Sequence, residues 1–437
     1  MLVFTCVTAL SAPSVAETVS ESVLAALKSH PALDAKKSMI DAAHNNVWEQ
    51  KSGFFPTLSV NAKAGREYMN SDTTRGVTGA GATSWVGEGS FVITQPLFTG
   101  FRVLGGYEAA KYRKTAAWHD LGSETEDLAL RAARAHLNLM RTSELLDQAR
   151  AYYAEIEKRH ESIGLMLSEG VVDEAEILQA DEILLSARNT RLGYEEAFRQ
   201  AEADYLEAVG TIRPENLSLG KMAWEQAVPQ EMTVAVDAAL QNNPALHAAT
   251  NTVTAAEKDV TVAQSDLVPQ VDAEMSYTKK DQDDRLGGEF EDAAAMLRLR
   301  WNFSYGGGQL ARIARGKNLK AEAEARRRAA ERDITHIVQQ KFTAMDVVDR
   351  QFKVLQERES AMQKIMNSFT SQFEAGRQSN LQLISAQARL FEAGAARVDA
   401  FYRRHLSRFE LLSAMGLLHD VMAGQPVKTA AQAKEGG

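Results

Sequence analysis

The sequence predicts an α+β membrane protein made of two copies of one helix–strand–strand–long helical hairpin unit. Three observations carry that prediction. The chain repeats itself: Pro31-Ala32-Leu33 returns as Pro244-Ala245-Leu246 and Pro56 as Pro269, each 213 residues on (31 to 244, 56 to 269). Further along, Glu169-Gly170 matches Ala375-Gly376 and Ala208-Val209-Gly210 matches Ala414-Met415-Gly416, each 206 residues on (170 to 376, 210 to 416). Each half also carries two alternating runs of strand length and a proline-free stretch far longer than a globular helix. A repeat this long is a duplicated half-protein, not a solenoid unit of roughly 20–50 residues.

Composition narrows the class. Of 437 residues, 45% are hydrophobic and 24% charged, enough for a core but too polar for a bundle of membrane helices. The net charge is −9 and the basic residues are scattered, which argues against a nucleic-acid surface. Met1 to Ala16 reads as the apolar part and cleavage end of a secretory signal, with Ser14-Val15-Ala16 as the small-residue site. The positive start of such a signal is missing, which leaves the natural start open, and a buried N-terminal helix is the other reading. The single cysteine, Cys6, lies in this segment without the small-residue lead-in of a lipid-attachment site. No later run reaches the roughly 18 apolar residues of a membrane helix.

The first unit spans 17–212. Thr18 to Lys28 and Ala32 to Ser52 read as helices broken at His30-Pro31. Strands are expected at about 54–66 and 84–98, with the Gly/Thr/Ser-rich stretch around Thr73 to Thr83 as their loop. In the first strand Leu58, Val60, Ala62 and Ala64 alternate with Thr57, Ser59, Asn61 and Lys63. A linker occupies 213–232. The second unit, 233–418, has strands at about 268–280 and 293–305, and 419–437 is expected to be a flexible tail. Its strands place Arg298 and Arg300 in mid-run, at a length suited to a tilted membrane strand of about ten residues. Phe54, Phe55, Phe98, Trp301, Phe303 and Tyr305 gather at one end, which fits an interfacial girdle or ordinary core. The connection Asp281 to Asp292 is acidic and reads as solvated.

Two long helical hairpins follow, 101–210 and 308–416. Their first arms would span roughly 100 Å at 1.5 Å per residue. Heptad-spaced Leu139, Leu146 and Tyr153, then Val348, Leu355, Met362 and Phe369, predict coiled-coil packing. The return arms carry Leu178, Leu185 and Leu192, also seven apart. Gly170 and Gly376 supply the left-handed residue that stops each first arm. Three residues later Asp173…Glu176 and Ser379…Gln382 have the form of an N-cap with its third-position partner.

Four strands cannot close a barrel, and lipid does not tolerate open edges. Strands that cross a membrane must therefore be pooled. Two chains would supply eight, a barrel filled by side chains; three would supply twelve and leave room for a channel.

In this order and twice over, the chain resembles the TolC-type outer-membrane factor family. The resemblance runs from about Thr18 to Leu418. It rests on the duplicated element order, the His30-Pro31-Ala32-Leu33 and Asn243-Pro244-Ala245-Leu246 starts, and Pro96-Leu97-Phe98-Thr99-Gly100 after the second strand. The tips at Gly170 and Gly376, followed by Gln179-Ala180 and Ser385-Ala386, complete it. It implies a homotrimer with a twelve-stranded outer-membrane β-barrel continued by a periplasmic α-helical barrel. It further implies docking to a periplasmic adaptor (membrane fusion) protein and an inner-membrane ABC or proton-driven pump, for type I protein secretion or multidrug efflux. The family's tips close the tunnel, and aspartates after the second glycine ring its entrance. Here Gln382 and Ser385 stand at those positions, while the first unit offers Asp173, Glu174 and Glu176. Asp173 and Glu176 read equally as caps. Arg377 is a candidate partner for Asp173 or Glu174 across neighbouring hairpins, or a contact for the adaptor, which Gly170 and Gly376 would help dock. No phosphate loop, His-Glu-x-x-His, nucleophile elbow or cysteine pair appears, so neither catalysis nor a cofactor is expected. The alternative from a different class is a soluble periplasmic coiled-coil scaffold or adaptor.

Overall fold

The structure, a computed structural model, describes residues 16–214, 216–220, 223–282, 288–303 and 305–425. The signal reading, Cys6 and the centre of the acidic connection lie outside these residues. In chain order the elements are β1 (Glu17–Thr18), α1 (Val19–Ser29), α2 (Pro31–Ser52), β2 (Thr57–Met69), α3 (Asp72–Thr78), β3 (Ala82–Phe98), α4 (Arg102–Ser168) and α5 (Glu174–Val209). Then come β4 (Leu217–Ser218), α6 (Met232–Asn242), α7 (Pro244–Gln264), β5 (Gln270–Gln282), β6 (Phe290–Arg300), α8 (Gly308–Glu374), α9 (Asn380–Ala414) and α10 (Leu418–Met422). They fall into two compact units. One holds residues up to Lys36, Asp120–Leu246 and those from Ala330; the other holds Lys37–His119 and His247–Ala329.

In the second of these units, β2, β3, β5 and β6 form one antiparallel sheet in that order. Its register puts Leu58, Val60, Phe91, Ile93, Met275, Tyr277 and Leu297 on one face, and Ser59, Asn61, Lys63, Glu88, Glu274 and Arg298 on the other. On the central strands β3 and β5 the apolar face is the more open one, with Phe91, Ile93 and Met275 exposed and Val92, Glu274 and Ser276 half-buried, while along the edge strands β2 and β6 both faces are open. The sheet is thus turned inside out relative to a water-soluble one.

Strand boundaries differ from the sequence reading because proline ends the ladder. Pro56 and Pro269 have no N–H to give, so β2 begins at Thr57 and β5 at Gln270. Arg300 pairs with Gln270, so β6 stops there and leaves Trp301, Phe303 and Tyr305 beyond the strand. Phe54 and Phe55 likewise lie in the turn before β2. Part of the stretch read as a loop is the helix α3. Ser71 caps it by accepting the Thr74 N–H at 3.2 Å, and Gly79, at φ 78°, closes it.

The helical unit buries an alanine-rich core. Leu128, Leu139, Leu145, Tyr205, Phe409 and Leu412 pack around Ala129, Ala132 and Ala133, whose small side chains let helices approach closely. The proline starts work as caps in both halves. His30 Nδ1 accepts the Ala32 N–H at 3.2 Å, and Asn243 Oδ1 accepts the Ala245 N–H at 3.0 Å. The tail does not begin at 419. Both carboxylate oxygens of Glu126 accept the first N–H groups of α10, Leu418 and His419, at 3.0 Å, and Leu418 and Met422 are buried. Burial pushes the Glu126 carboxyl up to about 8 against the pull of those two N–H groups.

The expected heptads divide. Leu139, Leu146 and Val348 are buried, and Tyr153, Leu355, Met362 and Phe369 are half-buried. Leu178, Leu185 and Leu192 instead face outward, 60%, 64% and 49% exposed. The line that packs inward on α5 is Ala180, Ala187, Tyr194, Ala201 and Ala208, also seven apart.

Candidate functional site

The two hairpin tips have the same backbone. At the first, Gly170 (φ 72°) donates its N–H to Leu167 O at 3.0 Å, and Val171 to Met166 O at 2.9 Å. At the second, Gly376 (φ 70°) donates to Phe373 O at 2.9 Å, and Arg377 to Gln372 O at 2.8 Å. This paired bonding satisfies the last carbonyls of each long helix, and only glycine adopts that φ without cost. Asp173 Oδ1 accepts the Glu176 N–H at 3.0 Å, and Ser379 Oγ the Gln382 N–H at 3.4 Å. Both expected caps are therefore made, while among the described residues the reciprocal contact from the third-position side chain is seen between Thr18 and Glu21 of α1.

Their side chains differ. Asp173 and Glu174 are exposed and Glu176 is half-buried. Ser385 donates its hydroxyl to Leu381 O at 3.0 Å, spending it within its own helix, and Gln382 is exposed. Arg377 is exposed and forms no ion pair among the described residues, so the structure does not bring it to Asp173 or Glu174 within one chain. Asn380, the first residue of α9, is 4% exposed, and its Oδ1 meets no partner among the described residues. Sequence reasoning missed one bond here: His160 Nε2 and Asp181 Oδ1, 2.6 Å apart, tie the two arms of the first hairpin together. The signal was available, because 160 and 181 stand ten and eleven residues either side of Gly170.

The polar face of the sheet is neutralised by ion pairs across strands. Lys63 meets Glu88 at 2.8 Å, Arg298 meets Glu274 at 2.9 Å, and Arg300 meets Asp272 at 2.5 Å. Such a face tolerates water and charge, and the apolar face opposite does not. Among the described residues no helix is long and apolar enough to cross a membrane, and no group of three His, Cys, Asp or Glu could hold a metal ion.

The family model for outer membrane efflux proteins matches residues 23–211 and again 235–417, one match per half. The chain belongs to the outer membrane efflux protein family. Membership confirms the duplication and the TolC-type resemblance, and it seats the chain in the outer membrane, which sets aside the soluble scaffold. Members of this efflux family are channels, not enzymes. The outer membrane efflux protein BepC of Brucella suis is 20% identical over 410 residues, covering 92% of this chain and 86% of that protein. The Campylobacter jejuni CmeC outer membrane channel superposes with a TM-score of 0.81 at 16% identity, over 96% of this chain and 89% of that one. The outer membrane protein VceC of Vibrio cholerae gives 0.77 at 16% identity, over 91% and 96%. At such identities the structures speak for the fold alone.

Proposed function

We propose that three copies of this efflux-family chain form an exit duct. Their sheets pool into a twelve-stranded outer-membrane barrel, and their hairpins line a periplasmic helical tube. A periplasmic adaptor joins that tube to an inner-membrane ABC or proton-driven pump, and the duct serves multidrug efflux or type I protein secretion. The observation that carries the reading is that one chain is unfinished. Edge strands β2 and β6 each have a free side among the described residues, and an outward leucine line runs along α5.

The duplication says what covers that line. Ile384, Phe391 and Val398 on α9 stand 206 residues after Leu178, Leu185 and Leu192 (178 to 384, 185 to 391, 192 to 398). Ile384 and Val398 are fully buried against α4 and α5, and Phe391 stacks on Tyr152 at 4.6 Å. The second repeat therefore covers the first within a chain, and the first repeat's matching line is left for the second repeat of another copy. That contact is head-to-tail and closes into a ring. Cross-linking in intact cells, followed by outer-membrane fractionation, should yield a trimer; recovery as a soluble monomer would overturn the duct.

The gate lies at the tips, where three copies multiply Asp173, Glu174 and Glu176 into rings that concentrate negative potential in a narrow mouth. Arg377, which forms no ion pair among the described residues, meets these acids across hairpins in the closed state or contacts the adaptor. Gly170 and Gly376 give the adaptor blunt turns to dock on. Single-channel recording of an Arg377→Ser, Glu176→Ala variant should show raised closed-state current. An unchanged leak would defeat the gate.

A further inference from the structure

The apolar face of the sheet ends in a feature that duct formation does not use. Beside β2 and β3, Phe54, Leu97, Phe98, Phe101 and Leu104 line an apolar cavity of about 140 Å³. A bulge between Pro96 and Phe98 builds it. The strand gains a residue there, and Phe98 comes to pair with Val271 on the apolar face. Phe98 then meets Phe101 edge-on at 5.6 Å, and Phe54 meets Tyr107 edge-on at 6.1 Å. Tyr107 lies on α4, so this aromatic layer passes from the sheet onto the helices.

The next turn of both helices is cationic. Lys51 Nζ sits 4.5 Å from the centroid of the Trp48 ring on α2, and Lys111 Nζ 5.6 Å from that of Tyr107 on α4. Neither lysine is ion-paired among the described residues. Of the nearby acids, Glu108 is held by Lys258 at 2.7 Å, and Glu49 follows Trp48, about 100° around α2. Trp48 is 55% exposed. At 1.5 Å per residue the lysines stand about 5 Å along their helices from the aromatic layer, roughly the depth of a headgroup.

We propose that Lys51 and Lys111 bind the phosphodiester of an anionic glycerophospholipid, one of whose acyl chains enters the cavity between Phe54, Phe98 and Phe101. Aromatic rings at an interface hold the glycerol level, and the two lysines beyond them select negative over zwitterionic headgroups. The cation–π contacts keep both ammonium groups in place before the lipid arrives. The aromatic layer fixes depth; the lysines fix headgroup charge.

This inference rests on the reading that the sheet crosses the membrane, and the experiment separates the two. Protein is extracted from outer membranes in a mild detergent, its oligomer is checked, and native mass spectrometry follows uptake of phosphatidylglycerol against phosphatidylcholine of equal chain length. We expect the wild type to prefer phosphatidylglycerol, about five-fold for each lysine. Lys51→Gln with Lys111→Gln should bring the two lipids to parity, whereas Lys317→Gln, an exposed lysine on α8, should leave the preference intact. A wild type without preference, or a double variant that keeps it, overturns the lipid site while the membrane-inserted oligomer stands. Recovery of the protein outside the membrane overturns the membrane reading and the lipid site with it.

Discussion

The return helices α5 and α9 carry the same pattern and meet opposite fates. Along α9, Ala386, Ala393, Ala400 and Ser407 are buried, and so are Ile384 and Val398 on the adjoining line. Along α5, Ala180, Ala187, Ala201 and Ala208 are buried in step with them, yet Leu178, Leu185 and Leu192 are open to solvent. Two helices with matching heptads thus differ in whether a neighbour within the chain covers their aliphatic line. The narrow alanine line is buried in each repeat, and on α9 the wide aliphatic line is the seam with the first repeat. Within one chain only the second repeat finds its partner.

The strongest way to break this comparison is to truncate matching positions. Ile384→Ala should destabilise the detergent-solubilised chain by about 3 kcal/mol, since it empties a fully buried site. Leu178→Ala should change single-chain stability by less than about 0.5 kcal/mol, as an exposed position does, and should lower cross-linked trimer in cells instead. Thermal unfolding beside cross-linking checks both. Equal effects of the two substitutions on the single chain would mean that α5 is covered from within.

Two buried histidines sharpen the contrast through pH. His136, on α4, accepts or shares a hydrogen bond with Ser22 Oγ at 2.8 Å and lies 3.1 Å from Ser218 O, which requires the proton on Nε2. His405, on α9, packs against Trp224 and Phe401, and neither ring nitrogen finds a partner among the described residues. Burial pushes both down to about 4, aided at His405 by Arg404 and Arg408 and opposed by Asp349, while Glu17 opposes it at His136. The unfolded chain takes up these protons near 6.5, the folded chain only near 4. Stability is therefore full above about 6.5 and drains as pH falls toward 4, by on the order of 2 kcal/mol per histidine. His405→Leu should raise the melting temperature at pH 7 and flatten the acid limb, because it removes an unpaired buried group. His136→Leu should lower it at pH 7, since Ser22 and the Ser218 carbonyl lose their partner, with a deficit that shrinks toward pH 4 as the acid loss at His136 is removed. Melting curves from pH 4 to 8 separate the two.

The duplication made most of the fold legible. Pro31 and Pro244, Pro56 and Pro269, and Gly170 and Gly376 mark helix starts, strand starts and tips by rules that act locally, through a missing N–H or a left-handed φ. Helix α3 was hidden because its cap, Ser71, stands in a stretch whose Gly and Thr content speaks for a loop. The direction of Leu178, Leu185 and Leu192 was not legible at all. A seven-residue period fixes that residues share a line, whereas which of two adjacent lines faces the neighbour depends on how closely the helices approach. The tip residues were found by spacing; that Arg377 has no ion-pair partner among the described residues and that His160 meets Asp181 are facts of tertiary geometry.

The smallest expected effect is at the caps, where the two repeats differ by one functional group. Asp173 offers a carboxylate to the Glu176 N–H at 3.0 Å, beside the positive end of the α5 dipole, whereas Ser379 offers a hydroxyl at 3.4 Å. Both are exposed, so water replaces part of what each substitution removes. Asp173→Ala should cost about 1 kcal/mol and Ser379→Ala about half of that. Hydrogen exchange at the first turns of α5 and α9 reads the fraying directly, helix by helix, without unfolding the chain. Asp173→Ser then isolates the charge: it keeps a side-chain acceptor and removes the anion. If Asp173→Ser exchanges like the wild type while closed-state conductance changes, the carboxylate belongs to the mouth of the duct and its hydrogen bond to the helix. If exchange and conductance move together, one interaction serves both, and the tips differ only in how firmly they are capped.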